Sequence, residues 1–405
     1  MGVVSMGKAE KIIQESNNLR VQAHCFYPLV IKDAEGCYLI DVDGKRYLDF
    51  NCNISSQNIG YGHPEIKEII RKYSERGIYK IAGADFYSEE ALELAKKALS
   101  IVPKVLTKVF FINTGAEAVE NCIKMAYRKI GPLPGVSCKG AFHGRTLGAL
   151  SYTHSKPVQK KNFPEITHHL IKFCRDDNDE QINELEEIVK GEKISFVIVE
   201  PVQGESGYIP ASKKFLQTLR NITKENNIPL ILDEVQSGMG RTGKWWAHEH
   251  YGIEPDLMAA SKSFNVGASF TSDEYDIKEC GAISSTWGGG HLIDMAVSRK
   301  VIEIIERDKL MGNATKIGNH IMKRLKEMEE KYSKMNDVRG IGLMIGFDFG
   351  EKGENKKIVL EGLKNGLSLL PCGFKSIRIA PPLIITEELA NKGLDILEDV
   401  IKKLS

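Results

Sequence analysis

Residues 229–262 decide the fold, and the two ends of this stretch read PLILDEVQSGMGRTGKWW and EPDLMAASK. Residues 230–232 are apolar, and the acids Asp233 and Glu234 follow them at once. A short apolar run with an acid at its end predicts a buried parallel strand, and open α/β sheets bind ligands at the carboxyl ends of such strands. We therefore predict an α/β fold with a functional carboxylate at this edge of the sheet.

A second short run, DLMAA at residues 256–260, leads directly into Ser261 and Lys262. A lysine at the end of a buried strand can lose its proton and act as an amine nucleophile that forms a Schiff base with a carbonyl. An aspartate beside a pyridinium nitrogen is what pyridoxal 5'-phosphate (PLP) needs to accept electrons. Asp233 and Lys262 together favour PLP chemistry, whereas a strand-end acid or lysine taken singly is more often a helix cap or a solvated charge.

The glycines of GMGRTG at residues 238–243 also fit the fingerprint of a dinucleotide-binding turn. In a true fingerprint the glycines follow the strand directly and open the crossover helix. Here residues 234–237 intervene, and two tryptophans follow the third glycine. A nicotinamide-dependent dehydrogenase is therefore kept only as an alternative from a different class of enzyme.

The composition of the 405-residue chain, 42% apolar and 27% charged with a net charge of +1, is that of an ordinary globular protein with room for two domains. The near-zero net charge gives no reason to expect nucleic acid or an acidic membrane as a partner. No apolar run approaches the roughly 18 residues of a membrane span, and the N-terminus lacks the apolar core of a signal peptide. The eight scattered cysteines form no CxxC pair, which predicts reduced thiols in a cytoplasmic protein.

Two further segments combine a predicted strand with a glycine turn. Residues 109–112 lead into Gly115 and a helical pattern, a geometry that presents free backbone N–H groups to a phosphate. Residues 136–139 lead into Phe142, which could lie flat on a cofactor ring, and Arg145, which could clamp a carboxylate. Ordinary structural explanations stay open as well, since such turns often contain glycine, a phenylalanine can belong to the core and an arginine to a surface ion pair.

Three more segments have clear local patterns. Residues 196–200 (FVIVE) predict a strand that ends in an acid, and residues 265–270 predict a loop. Residues 88–99 predict a helix with an acidic first turn. The predicted inner face of that helix consists of Leu92, Ala95 and Leu99.

Seven motifs match one family in content and order. They are NTGAEAVEN, AFHGRT, EPVQGESG, LDEVQSGMGRTGKWWA, PDLMAASKS, STWGGG and SIRIAPPL. By these motifs the chain resembles the class III PLP-dependent aminotransferases of fold type I over essentially its whole length. The resemblance implies a large domain with a mostly parallel seven-stranded sheet between helices, and a smaller α+β domain. We expect residues 1–60 to form an N-terminal segment and hairpin that contributes to the small domain, residues 61–295 the large PLP-binding domain, and residues 296–405 the C-terminal small domain.

The resemblance implies a role for each residue that matches the family's PLP site. Lys262 corresponds to the lysine that holds PLP covalently and shuttles the proton, and Asp233 corresponds to the partner of the pyridine nitrogen. Phe142 corresponds to the aromatic residue that stacks on the ring. The other implied cofactor contacts are Gly115 and Ala116 at the phosphate, His143, Glu200, Val235 behind the ring, Gln236 near the ring hydroxyl, and Thr286, which reaches the phosphate of the neighbouring subunit in a homodimer.

Four residues are implied to select the substrate. Glu205 and Arg378 resemble the family's switch pair, in which the glutamate neutralises the arginine while an ω-amine donor is bound. The glutamate then swings away, and the arginine binds the α-carboxylate of 2-oxoglutarate or glutamate. Arg145 resembles the arginine that binds the carboxylate distal to the reacting amine. Ile54 lies where 4-aminobutyrate enzymes have isoleucine and ornithine enzymes have tyrosine.

Together with Ile54, the segments THSKP, WAHEH and STWGGG resemble the branch of 4-aminobutyrate and lysine 6-aminotransferases. The resemblance therefore implies transfer of an ω-amino group from 4-aminobutyrate or a similar ω-amino acid to 2-oxoglutarate, giving a semialdehyde and glutamate. Lysine or ornithine ω-transamination, racemisation of an amino acid on the same scaffold, and a non-catalytic PLP-fold regulator are the alternatives. The expected partner is a second copy of the chain, in a dimer or a dimer of dimers.

The chain departs from the family in two places. Eukaryotic 4-aminobutyrate enzymes have a CxxC cluster motif where this chain has only Cys122, so we predict no iron–sulfur centre and no bound metal. Residues 265–276 (NVGASFTSDEYD) lack the usual glycine-proline pair after the lysine. We therefore expect an atypical loop there.

Overall fold

The structure, a computed structural model, describes residues 7–21, 27–279, 281–283, 287 and 289–405. The α-helices of these ranges are α1 (Lys8–Leu19), α2 (Cys52–Ser55), α3 (Pro64–Ser74), α4 (Glu89–Leu99), α5 (Gly115–Ile130), α6 (Leu147–Ser151), α7 (Glu184–Gly191), α8 (Lys213–Glu225), α9 (Leu292–Arg307), α10 (Leu310–Lys331), α11 (Asn355–Lys364) and α12 (Glu387–Leu404). Within the same ranges, none of the helices combines the length and the apolar character that crossing a bilayer requires.

The strands fall into four sheets. They are β1 (Ile31–Glu35), β2 (Tyr38–Asp41), β3 (Arg46–Asp49), β4 (Lys108–Ile112), β5 (Gly135–Cys138), β6 (His168–Ile171), β7 (Val197–Val199), β8 (Val202–Gln203), β9 (Ile209–Pro210), β10 (Leu230–Asp233), β11 (Leu257–Ala260), β12 (Gly267–Thr271), β13 (Met335–Ile341), β14 (Met344–Phe349), β15 (Leu367–Ser368), β16 (Leu370–Cys372) and β17 (Ser376–Ile379).

The largest sheet has seven strands in the order β4-β12-β11-β10-β7-β5-β6. Strand β12 is antiparallel to both neighbours, and the other strands run parallel to one another. All four residues of β10 and all four of β11 are buried, as expected for central strands covered by helices on both faces. The predicted α/β fold with a mostly parallel seven-stranded sheet is confirmed.

The two strands that carry the predicted acid and lysine are neighbours. Strand β10 pairs in parallel with β11, and Asp233 lies opposite Ala259 in the register. Both strands therefore end at the same edge of the sheet, and Lys262 follows the end of β11 by two residues. Their apolar sequences and this shared direction bring two groups together that are 29 positions apart in the chain (262 minus 233).

The prediction of a loop at residues 265–270 is wrong, because most of this segment forms β12, an interior strand of the sheet beside the edge strand β4. The small residues of β12 do not form the pattern of bulky side chains that is typical of a strand, and the packing explains why small residues are needed. A Cβ on Gly267 would lie 2.4 Å from the carbonyl oxygen of Thr114. The hydroxyl of Ser269 donates to the carbonyl of Ala118 in α5 at 2.8 Å. Close contact with the helix therefore replaces the bulky side chains that usually identify a strand.

The predicted inner face of α4 is also wrong at its first position. Leu92 is 55% exposed, whereas Leu94 and Ala98 are completely buried. The helix begins as predicted, with the side chain of Ser88 accepting a hydrogen bond from the N–H of Ala91 at 3.1 Å. Apolar residues occur on more than one side of this helix, and packing against α9 decides which of them are buried.

The N-terminal hairpin joins the C-terminal part of the chain. Strand β3 pairs in parallel with β15, with Leu48 opposite Leu367. A separate sheet of order β13-β14-β17-β16 lies entirely within residues 335–379. These pairings agree with an N-terminal segment that contributes to a C-terminal domain, although the boundary at 295/296 falls inside α9. The three-part division of the chain stays a prediction.

Candidate active site

A cavity of about 380 Å³ lies where β7, β10 and β11 end and α5 begins. Most of the residues predicted for the site line it. They are Gly115, Ala116, Phe142, His143, Arg145, Glu200, Glu205, Asp233, Val235, Gln236 and Lys262. Arg378 and Ile54 are not part of the lining, and Thr286 lies outside the described residues.

The start of α5 forms one wall of the cavity. Thr114 caps the helix, and its hydroxyl accepts a hydrogen bond from the N–H of Glu117 at 3.2 Å. A Cβ on Gly115 would lie 2.8 Å from a methyl group of Val235, so only glycine lets the helix end approach this closely. The other first-turn N–H groups have no partner within the helix, and together with the helix dipole they favour a bound anion such as a phosphate.

Asp233 is fixed through both of its oxygens. Oδ1 accepts from the N–H of Val235 at 3.0 Å, and Oδ2 lies 2.9 Å from Nδ1 of His143. The N–H of His143 in turn donates to the hydroxyl of Thr153 at 2.9 Å. The carboxylate is therefore held in one orientation at the cavity, which suits an acid that must face a ring nitrogen.

Glu200 holds two loops of the cavity together. Its Oε1 accepts from the N–H of Phe142 at 2.9 Å, and its Oε2 accepts from the N–H of Gly204 at 2.8 Å. Burial raises the pKa of Glu200 well above its usual value, and the nearby charge of Asp233 raises it further. Glu200 therefore fixes the backbone at Phe142, the residue predicted to stack on a cofactor ring.

Lys262 has an unusual backbone and an unusual amine. Its φ is +51°, a left-handed conformation that costs free energy in a residue other than glycine and is often found at functional sites. Burial lowers the pKa of its ammonium group, and the positive charge of Arg378 lowers it further. A larger share of the amine is therefore neutral at a given pH than in an exposed lysine, and the neutral amine is the nucleophilic form.

The buried Arg378 and the partly buried Glu205 form an ion pair at the cavity. Oε1 of Glu205 lies 2.8 Å from Nη1 of Arg378. Burial by itself raises the pKa of Glu205, but the charges of Arg378 and Lys156 outweigh it and lower the pKa to about 2. Glu205 lines the cavity and Arg378 does not, and a substrate contact for either residue stays a prediction.

The chain matches one known protein family over almost all of its given length. The family profile described as aminotransferase class-III matches residues 20–401. The chain belongs to the class III aminotransferases. It is a PLP-dependent enzyme, since PLP is the cofactor of this family.

Acetylornithine aminotransferase of Archaeoglobus fulgidus is 38% identical over 382 residues, which cover 93% of this chain and 96% of that protein. A crystal structure of acetylornithine aminotransferase from Elizabethkingia anophelis superposes with a TM-score of 0.83 at 28% identity and covers 98% of this chain and 100% of that one. The lysine aminotransferase from M. tuberculosis superposes with a TM-score of 0.90 at 24% identity, over 98% and 100% of the two chains. This last likeness shows the fold alone.

The cavity of this aminotransferase fits PLP by three observations. The N-terminus of α5 lines the cavity with Thr114, Gly115 and Ala116, so its free N–H groups suit a phosphate. The fixed carboxylate of Asp233 suits a ring nitrogen, and the buried amine of Lys262 suits an aldehyde. His143 contributes a further polar atom, because its buried Nε2 has no partner among the residues described.

Two residues beside the cavity were not predicted from the sequence. The hydroxyl of Tyr208 accepts a hydrogen bond from Nε2 of Gln236 at 3.4 Å and lies 3.2 Å from the hydroxyl of Ser55. The second is Lys156, which lies 3.3 Å from Glu205. Lys156 belongs to the segment THSKP, which the sequence linked to a family branch but to no site contact, and Tyr208 belongs to none of the quoted motifs. Only the folded chain reveals these contacts.

Ile54 lies next to this network without lining the cavity. It belongs to α2, a single left-handed turn in which Cys52, Asn53, Ile54 and Ser55 all have positive φ. Its side chain is 39% exposed. The bond between Ser55 and Tyr208 fixes the turn near the cavity, and a substrate contact for Ile54 stays a prediction.

Proposed function

We propose that this enzyme transfers the terminal amino group of an ω-amino acid to 2-oxoglutarate, which releases a semialdehyde and glutamate. The ion pair of Glu205 and Arg378 is the single observation that carries the proposal. A donor with a terminal amine brings no carboxylate next to its reacting carbon, so the arginine needs an internal counter-charge. The oxo acid does bring a carboxylate there, and it can replace Glu205 at Arg378.

The proposed roles of the residues follow from their positions. Lys262 takes the proton from the substrate carbon that carries the amino group and later returns a proton, because its lowered pKa favours the neutral base. PLP, when bound, supplies an electron sink for the negative charge left on that carbon. Asp233 keeps the facing ring nitrogen protonated. The proposed supporting contacts are those of Gly115, Ala116, Phe142, His143, Glu200, Val235, Gln236 and, from a second subunit, Thr286.

For the donor we propose 4-aminobutyrate. Its carboxylate lies at the end opposite the reacting amine and requires a cation at the far side of the cavity. Arg145 lines the cavity, with its guanidinium carbon 5.9 Å from the centre of the Phe142 ring. An isoleucine at position 54 supports the same choice through the family resemblance.

N-acetylornithine is the second candidate donor. It also has a terminal amine, and it differs from 4-aminobutyrate in the group at the other end. The identity of 38% with an acetylornithine aminotransferase favours it. A panel of 4-aminobutyrate, N-acetylornithine, ornithine and lysine with 2-oxoglutarate, followed by glutamate formation, ranks these donors, and a chiral assay without an oxo acid tests for racemisation.

If the oxo acid replaces Glu205 at Arg378, as proposed, Arg378→Ala should affect the two half-reactions unequally. We call this exchange the switch proposal. We expect kcat/KM for 2-oxoglutarate to fall about 100-fold, because a carboxylate loses a buried cationic partner worth about 2–5 kcal/mol. The half-reaction with the amine donor should change only a few-fold. Single-turnover absorbance measurements separate the two halves.

The matched control is Arg175→Ala. Arg175 forms an ion pair of 2.7 Å with Asp337, and neither residue lines the cavity. The control substitution should leave both halves unchanged. Equal losses of the two half-reactions in Arg378→Ala would contradict the switch proposal.

A further inference from the structure

We propose that Lys156 is a positioning residue that acts as the second counter-ion of Glu205 and allows it to leave Arg378 when the oxo acid binds. The inference rests on the proposed function and concerns the acceptor half of the reaction. The observation behind it is that the two oxygens of Glu205 bind two different cations. Oε1 lies 2.8 Å from Arg378, and Oε2 lies 3.3 Å from Nζ of Lys156.

The two cations lie at different depths. The side chain of Arg378 is only 4% exposed and that of Glu205 is 19% exposed, whereas that of Lys156 is 33% exposed. The carboxylate therefore lies between an inner and an outer positive charge. A movement away from Arg378 can keep the contact with Lys156, because each cation occupies its own oxygen.

The charges explain why the outer cation matters. Glu205, Arg378 and Lys156 together have a net charge of +1, and the carboxylate of an incoming oxo acid brings the group to zero. That exchange requires Glu205 to break its ion pair with Arg378. A partly buried carboxylate without a partner is costly, so the ion pair with Lys156 lowers the free energy of the state in which Arg378 is open.

Other partners do not compete for Lys156 in the part of the chain that the structure describes. Its one ion pair there is with Glu205, and it lies just before Pro157 in the segment that follows α6. Lys160 and Lys161 follow closely in sequence, but Lys160 pairs with Glu165 at 2.5 Å. Lys161 is exposed and therefore provides a matched control.

The test compares Lys156→Met with Lys161→Met in the PLP-loaded enzyme. We expect Lys156→Met to raise KM for 2-oxoglutarate about fivefold, the size expected for a partly exposed ion pair, with the amine half-reaction within twofold of the wild type. Lys156→Arg should restore the KM, because it keeps the charge. Lys161→Met should change neither half.

A double-substitution cycle excludes a merely structural role. In the background of Glu205→Gln, which has no carboxylate for Lys156 to hold, Lys156→Met should leave KM for 2-oxoglutarate unchanged. The inference is overturned if the increase persists in that background, if both half-reactions are weakened equally, or if Lys156→Met has no effect. A wild-type enzyme that forms no glutamate from any ω-amine would instead overturn the proposed function.

Discussion

Asp233 and Glu234 are adjacent acids at the end of β10, and each binds a buried histidine. Oδ2 of Asp233 lies 2.9 Å from His143, and Oε1 of Glu234 lies 3.0 Å from His248. The exposed fractions are 6% for Asp233 and 1% for Glu234. In the sequence the two acids stand side by side directly after the apolar run at residues 230–232.

Their surroundings differ because successive side chains point to opposite sides of a strand. Asp233 faces the cavity, where a ligand can reach it. Glu234 instead accepts from the N–H groups of Ala247 and His248 at 3.0 and 2.8 Å and from the hydroxyl of Ser237, which closes the turn after β10. The comparison teaches that two adjacent acids with the same kind of partner can differ in whether a ligand can reach them, and here the cavity reaches Asp233 but not Glu234.

The largest effect predicted from this comparison is that of Asp233→Asn on turnover. The substitution keeps the shape and removes the charge that faces the cavity. We expect kcat to fall on the order of 1,000-fold, equivalent to about 4 kcal/mol of transition-state stabilisation, with thermal unfolding close to that of the wild type. Steady-state kinetics and circular dichroism measure both, and a kcat near the wild-type value would refute the assignment of this acid.

Glu234→Gln should show the reverse pattern. The glutamine side chain would place an NH2 group against donors from which the carboxylate now accepts hydrogen bonds. We therefore expect a loss of about 1.5–3 kcal/mol in the free energy of unfolding, as for hydrogen bonds to a charged group. Turnover per folded molecule should stay within a few-fold. Urea unfolding and kinetics on the same sample are the measurements, and a selective loss of turnover without a loss of stability would remove the distinction between the two acids.

The smallest effects are expected for the two histidines. His143→Asn should lower kcat about tenfold, or about 1.4 kcal/mol, because Asp233 loses a hydrogen bond that orients it. His248→Asn should instead cost about 1 kcal/mol of stability and leave kcat unchanged. If both substitutions act on stability alone, the bond between His143 and Asp233 has no part in positioning the acid.

Local patterns predicted much of the architecture correctly. The strand at residues 109–112 and the helix that begins at Gly115 are confirmed, since an apolar run and a helix cap act over a few residues. The strand β12 was not predicted, because its small residues fit contacts with Thr114 and Ala118 that lie far away in the chain. No local sequence pattern contains such contacts. The prediction that Leu92 is buried was wrong for the same reason, since packing against α9 decides which side of α4 is covered.

The sequence by itself determined where the short buried strands end and that an acid and a lysine follow two of them, because apolar runs and the residues that interrupt them are properties of adjacent positions. The family resemblance selected Asp233, but only the tertiary structure showed that Asp233 lines the cavity while the turn after β10 encloses Glu234. The tertiary structure alone also joined Glu205 to Arg378, 173 positions away, and to Lys156. Such contacts depend on how elements distant in the chain pack together, and no local pattern specifies that packing.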